Sequence, residues 1–186
     1  MINISSSERE TANHFDSIAE VFNRIWYFSD GYKEFVINHI CRDLSLASED
    51  ILADIGGGTG SFTSRLQKES TGIKAYCVEP SLPMCNEAAK LENITALCMD
   101  AHTFLSTETP FSKLLFKEVI HHIEERERLW QAVYSRLPHQ GKLLIITSKR
   151  RLPPFCIGKS CLRPKSASAH SFEIRTHNMR LRGHLL

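Results

Sequence analysis

Residues 51–60 read Ile51-Leu52-Ala53-Asp54-Ile55-Gly56-Gly57-Gly58-Thr59-Gly60, an apolar run that ends in an acid and then in glycines where the backbone must turn. This spells a strand feeding a ligand-binding loop. Gly56, Gly58 and Gly60 lack a Cβ, so the chain can enter left-handed conformations and let a ligand lie against peptide N–H groups. Ser61-Phe62-Thr63-Ser64-Arg65-Leu66 continues as a helix, with Ser61 placed to cap it and Phe62 and Leu66 four apart on one face. The order acid, spacer, Gly-x-Gly-x-Gly differs from the dinucleotide pattern Gly-x-Gly-x-x-Gly. It also lacks the Gly-Lys-Ser/Thr ending of a phosphate loop.

Working outward, Phe15, Ile18, Val21, Phe22 and Ile25 fall at helical spacing, and Phe35, Val36, Ile40 and Leu44 resume it after Ser29-Asp30-Gly31. Two helices joined by a short turn are expected before the first strand. The chain then alternates, with strands expected at 51–55, 73–78, 94–99, 112–116 and 142–147 and helices at 61–68, 82–91 and 124–136. Such alternation predicts an α/β fold: a Rossmann-like, doubly wound, mostly parallel sheet with helices on both faces, preceded by N-terminal helices. Right-handed crossovers put every strand's carboxyl end on one rim, where such sheets bind ligands. The expected division is a helical cap over 1–48, a ligand-binding core over 49–148 and a basic, disordered tail over 149–186.

A chain of 186 residues is most simply one domain. It holds no run of about 18 apolar residues, and Met1 to Glu8 lacks the features of a signal peptide, so a cytoplasmic location and no membrane partner are expected. Cys41, Cys77, Cys85, Cys98, Cys156 and Cys161 include no Cys-x-x-Cys pair, which favours buried or inert thiols over zinc or thioredoxin-like chemistry. The net charge of +2 conceals an asymmetry: residues 149–186 hold nine Lys/Arg against the single acid Glu173, and the body is acidic. A solvated tail and a basic arm that touches nucleic acid both fit that block, the former better.

The glycine stretch resembles motif I of the class I S-adenosylmethionine-dependent methyltransferases. Phe111 to Ile123, with Glu118-Val119-Ile120-His121-His122, resembles the family's motif after the fourth strand, and Leu137 to Ile146 resembles its turn and fifth strand, although His139-Gln140 replaces the frequent Pro-Gly-Gly. Phe15-Asp16-Ser17-Ile18-Ala19 resembles a helix that many relatives place before the sheet. The resemblance implies S-adenosylmethionine as cofactor and methyl transfer to a small-molecule acceptor, with the donor held by Asp54, Gly56, Gly58, Gly60, Glu79, Asp100, Ala101 and Lys117. Glu79, about 20 residues past the glycines, is placed as the ribose-binding acid; the other reading is a charge at a helix N-terminus. Asp100 stands where an acceptor meets the adenine amino group, or where an ordinary helix cap would sit.

His121 and His122 are candidates for a general base, packing near the pocket being the alternative; adjacent residues diverge, so no metal is assigned to them. Phe15, Trp26, Tyr27 and Tyr32 are candidates for a wall or cover, with core packing as the alternative. After the fifth strand the family usually adds a helix and an antiparallel strand pair, whereas Pro153-Pro154 opposes a helix and only Ser171 to Arg175 suggests a strand. The final strands are therefore expected to be incomplete. A catalytically impaired, cofactor- or partner-binding relative is the second reading, and a nicotinamide-dependent oxidoreductase the third. Nucleic acid is not an expected partner, and oligomeric state leaves no trace in the pattern.

Overall fold

The computed structural model describes residues 13–25 and 29–147. Its centre is a sheet of five strands, β1 (Ile51–Ile55), β2 (Lys74–Val78), β3 (Thr95–Leu97), β4 (Lys113–Lys117) and β5 (Lys142–Ile146). They lie in the order β3-β2-β1-β4-β5, every pair parallel. From β1 the chain moves one way to β2 and β3, then returns across β1 to β4. The loops leaving β1 and β4 therefore depart in opposite directions, and between them opens the crevice where doubly wound sheets take ligands.

Side-chain alternation along each strand divides the core in two. Ala53, Ile55, Leu114, Phe116 and Leu143 point to one face, covered by α5 (Ala101–Ser106) and α6 (Arg126–Arg136) through Phe104, Leu105, Leu129 and Val133. Leu52, Ala75, Leu115, Leu144 and Ile146 point to the other, covered by α2 (Asp30–Leu44) and α3 (Ser61–Glu69) through Val36, Ile37, Ile40, Leu44 and Leu66. Most of these side chains are fully buried, each of the larger ones, Val to Phe, stabilising the fold by about 1.5–3 kcal/mol relative to exposure. Ahead of α2 lie a helical segment over 13–18, a 3₁₀ turn over Ala19–Val21 and the short α1 (Phe22–Ile25). Between β2 and β3, α4 (Leu82–Ala89) starts at Ser81, whose hydroxyl accepts from the Met84 N–H, with Pro83 in its first turn.

The expected strand β1 coincides with the observed one, and most other strand and helix ends differ by one or two residues. The 94–99 strand shrinks to Thr95–Leu97, because beyond it Met99 N–H turns back to the Leu97 carbonyl. The 124–136 helix starts at Arg126, since Glu125 takes φ +46°. Two expectations are corrected. Ser61 does not cap α3; Gly60, at φ 73°, holds the cap position and supplies no side-chain bond. Ser29-Asp30-Gly31 is not a turn between helices but the start of α2, with the Ser29 hydroxyl accepting from Tyr32 N–H at 3.3 Å. Helix α5, six residues long, was not among the expected helices and follows only from the alternative reading of Asp100 as a cap. Trp26, Tyr27 and the tail from 149 onward, with Ser171 to Arg175, lie outside the described residues. Among the described residues no helix is long and apolar enough to cross a membrane.

Candidate functional site

The loop after β1 turns through three glycines with positive φ, and at two of them, Gly56 and Gly60, packing leaves no room for a Cβ. A Cβ on Gly56 would lie 2.3 Å from Val119 Cγ2, so the glycine loop and the loop after β4 are packed directly together. At Gly58, φ is +58° and a Cβ would meet only the Phe22 ring, at 3.9 Å. The backbone there is open to approach. Gly60 is closed off by Ile94 and Ala88. Its neighbour Ser64 exchanges two hydrogen bonds with Asn93, 2.8 and 2.9 Å, which fix α3 against the segment leading to β3.

Two buried acids flank the loop. Glu79, immediately after β2, accepts from Gly58 N–H with Oε2 and from Ser81 N–H with Oε1, both at 2.9 Å. Burial pushes its carboxyl above the usual range, the backbone donors of Ser81 and Gly58 oppose this, and the charges of Asp54 and Asp16 add to it. Asp54, 2% exposed on β1, accepts the Thr63 hydroxyl at 2.6 Å. Its carboxyl is raised to about 6, chiefly by burial, against the bond from Thr63 and the charge of Lys117. Lys117, the last residue of β4, lies with Nζ 4.1 Å from the Phe62 ring centroid, and burial lowers its pKa against the attraction of Asp54 and Glu118.

Thus Asp54, Gly56, Gly58, Gly60, Glu79 and Lys117 gather at the carboxyl ends of β1, β2 and β4. Asp100 and Ala101 sit one strand farther out, beyond β3. Asp100 forms the helix cap that was its alternative reading: Oδ1 accepts from Thr103 N–H at 2.7 Å and Oδ2 from the Thr103 hydroxyl at 3.1 Å. Ala101 is buried in the core face of α5.

The loop after β4 begins at Glu118, which takes φ +55°, and passes through a 3₁₀ turn over Ile120–His122. His121 is exposed; His122 is half-buried, its ring 5.6 Å edge-on from Phe15. Burial, then His121 and His14, lower His122 to about 4, so it is neutral at pH 7 and weakly basic. Beside the pair, an open hollow of about 1090 Å³ runs along the start of α6, bordered by Glu124, Arg126, Arg128 and Gln131. Among the described residues no three His, Cys, Asp or Glu side chains converge as a metal site.

The N-terminal segment crosses this rim. Asn23 Oδ1 accepts from the Thr59 hydroxyl at 2.9 Å, Asp16 Oδ1 from the Ser81 hydroxyl at 2.5 Å, and Phe15 packs edge-on against Phe22 and His122. Phe15 is thus at the site; Tyr32, on α2, packs against the core, and burial, then the charge of Glu118 in the loop after β4, raise its hydroxyl pKa. Asp16, Phe22, Asn23, Thr59, Thr63 and Ser81 escaped the sequence reading. Only Thr63 left a signal, a hydroxyl on the helix that directly follows the glycine loop.

The comparisons with known proteins agree with this geometry. A family model described as a methyltransferase domain matches residues 53–143. No curated protein matches the chain. Among solved structures, a protein described as a methyltransferase from an antibiotic biosynthesis pathway of Anabaena variabilis is 26% identical, with a TM-score of 0.55 over 64% of this chain and 47% of its own. The chain thus spans about half the length of that relative. DhpI, solved as a complex with SAH, is 14% identical with a TM-score of 0.63, covering 80% of this chain and 72% of its own. Magnesium protoporphyrin IX methyltransferase from Synechocystis, solved with bound SAM, is 14% identical with a TM-score of 0.60, covering 81% and 80%. With its glycine loop at the switch point of a parallel sheet, and that domain matched across it, the chain carries a Rossmann-like fold with a methyltransferase domain over residues 53–143.

Proposed function

We propose that this chain binds S-adenosylmethionine along the carboxyl rim of β1 and β2 and transfers its methyl group to a small-molecule acceptor in the cytoplasm. The observation that carries the reading is the Glu79–Gly58 bond, which joins a ribose-type acid to an approachable glycine backbone at the switch point. The residues fit the cofactor. Open space faces Gly58 up to Phe22, and each Glu79 oxygen, holding one backbone N–H, keeps a second lone pair for a ribose hydroxyl. Gly56, Gly58 and Gly60 shape the bed for the methionine end, Asp54 and Lys117 set its charge, and Asp100 and Ala101 border the adenine side. When bound, the sulfonium supplies an already activated methyl, so the protein's work is alignment and exclusion of water.

The N-terminal segment, held by Asn23 and Asp16, narrows access from one side, and the hollow beyond His121 and His122 is the approach left for an acceptor. His122 serves here as a neutral hydrogen-bonding wall. A second reading, donor binding without turnover, is favoured by β5, which among the described residues pairs with β4 alone.

Calorimetric titration with S-adenosylmethionine and S-adenosylhomocysteine, with NAD as control, tests the donor site. Micromolar binding of the sulfur compounds, lost in Gly58→Arg, is the expected result, since φ +58° and the Phe22 ring both oppose a long side chain. A folded wild-type chain that binds neither would refute it. Donor consumption with candidate acceptors then separates the two readings.

A further inference from the structure

Two thiols meet where β3 ends. Cys85 lies on the buried face of α4 with Met84 and Ala88, 5% exposed, and α4 packs against β3. Cys98, exposed to solvent, follows directly after Leu97, the last residue of β3. The fold thus brings residues 13 apart in sequence to one helix–strand contact, and the Cys85 thiol feels Cys98 beside it. The place matters. The Leu97 carbonyl accepts from both Glu79 N–H and Met99 N–H at 3.0 Å, so the Cys98 segment is tied to the acid at the end of β2 and leads within two residues to Asp100.

We propose that Cys85 and Cys98 are a thiol–disulfide pair, a redox modification site whose closure loosens the adenosine side of the rim. The oxidant is a low-molecular-weight disulfide. The Cys98 thiolate attacks one of its sulfurs, the small S–S bond breaks, and one small thiolate leaves. Cys85 then gives its proton to solvent and attacks the Cys98 sulfur, forming the protein S–S bond and expelling the second small thiol. Two protein thiols are oxidised and one small disulfide is reduced.

Exposure makes Cys98 the first to react. Burial, followed by the charge of Cys98, pushes the Cys85 thiol up to about 11, so capping Cys98 removes the second of these and eases the resolving step. Closing the S–S bond to its length of about 2 Å draws the Cys98–Asp100 segment onto α4 and pulls it from its place beside Glu79. That consequence rests on the donor-site reading above; formation of the bridge does not.

The test incubates the full chain with oxidised glutathione, blocks remaining thiols with N-ethylmaleimide, and maps fragments by mass. Cyanogen bromide cuts after Met84 and Met99 and trypsin after Lys90, so the bridge appears as fragment 85–90 joined to 91–99, clear of Cys77. In Cys85→Ser, glutathione should stay on Cys98. Glutathione retained on Cys98 of the wild type, or Cys98 joined to any other cysteine, would overturn the pair. Bridged wild type should bind S-adenosylhomocysteine at least about fivefold more weakly than reduced protein, the lower end of ordinary coupling between sites, with recovery on reduction and no redox response in Cys98→Ser. Equal affinity in a fully bridged sample would overturn the regulatory role. A reduced chain that binds no S-adenosylhomocysteine would count against the donor site instead, while the fragment map alone decides the bridge.

Discussion

The two ends of β1 and β4 carry the same chemistry and put it to different uses. Four residues apart on one face stand Asp50 with Lys113 at the amino end and Asp54 with Lys117 at the carboxyl end. At the amino end the acid and the amine pair at 3.4 Å, and Asp50 also accepts the Ser112 hydroxyl at 2.7 Å and Ala47 N–H at 2.9 Å. The cluster closes on itself. At the carboxyl end the first residues of α3 intervene: Thr63 takes the acid and Phe62 lies under the amine. Both groups there are shifted toward their neutral forms by burial. The same residue types thus serve cohesion at one edge, while at the other they hold charge under strain beside an open glycine backbone.

The contrast breaks most visibly through Glu79. Replacing it by Ala removes the acceptor for Gly58 and Ser81 N–H and the proposed acceptor for ribose. Hydrogen bonds to a charged group contribute about 1.5–3 kcal/mol each, so S-adenosylhomocysteine affinity should fall by about a hundredfold in calorimetry. Asp50→Ala should do the converse. It leaves the Lys113 amine, 8% exposed, without its acid, and should lower unfolding free energy by about 3 kcal/mol in urea titration with cofactor affinity unchanged. Should Asp50→Ala weaken binding as much as Glu79→Ala does, the two edges would not be separate.

What could be read in advance follows from the range of the forces involved. β1 was legible to the residue because its apolar run is bounded by glycines, and Asp54, Gly58 and Glu79 follow from local order and spacing. Helix α5 was not: six residues are under two turns, and Phe104 and Leu105 give no period to read. Asp100 presented one signal, an acid at a strand end, for two roles, and the Thr103 contacts reveal the cap. The Asp54–Thr63, Asp16–Ser81 and Asn23–Thr59 bonds join residues 9, 65 and 36 apart, and no periodicity encodes them. The tension in the Asp54–Lys117 pair arises only when α3 is laid on the strands.

That tension should be measurable with pH. Asp54's folded value near 6 lies above its ordinary 3.8, so the native state holds this proton more tightly than the unfolded chain. Between about pH 4 and pH 6 the unfolded state binds fewer protons, and stability must fall as pH rises through that window. A shift of that size corresponds to about 2–3 kcal/mol. Asp54→Asn keeps an acceptor for Thr63 and removes the titration, so the variant should gain on the wild type by roughly that amount between pH 4 and pH 7. A difference that stays constant across the window would mean that Asp54 is charged and well solvated in the fold.

The smallest effect concerns whether the N-terminal segment belongs to the working edge or to the core. Asn23→Ala removes the acceptor of the Thr59 hydroxyl, a bond contributing about 1 kcal/mol. Because Asp16 on Ser81 and Phe15 on His122 still hold the segment, the loss should appear as faster amide exchange over residues 13–25 while the global unfolding midpoint barely moves. Thr59→Val should reproduce it, and the double variant should cost no more than either single one, since both remove the same bond. A drop in global stability matching that of Asp50→Ala would instead make the segment part of the cohesive core. Local release would mark it as a cover whose attachment is weak because the edge beneath it has to open.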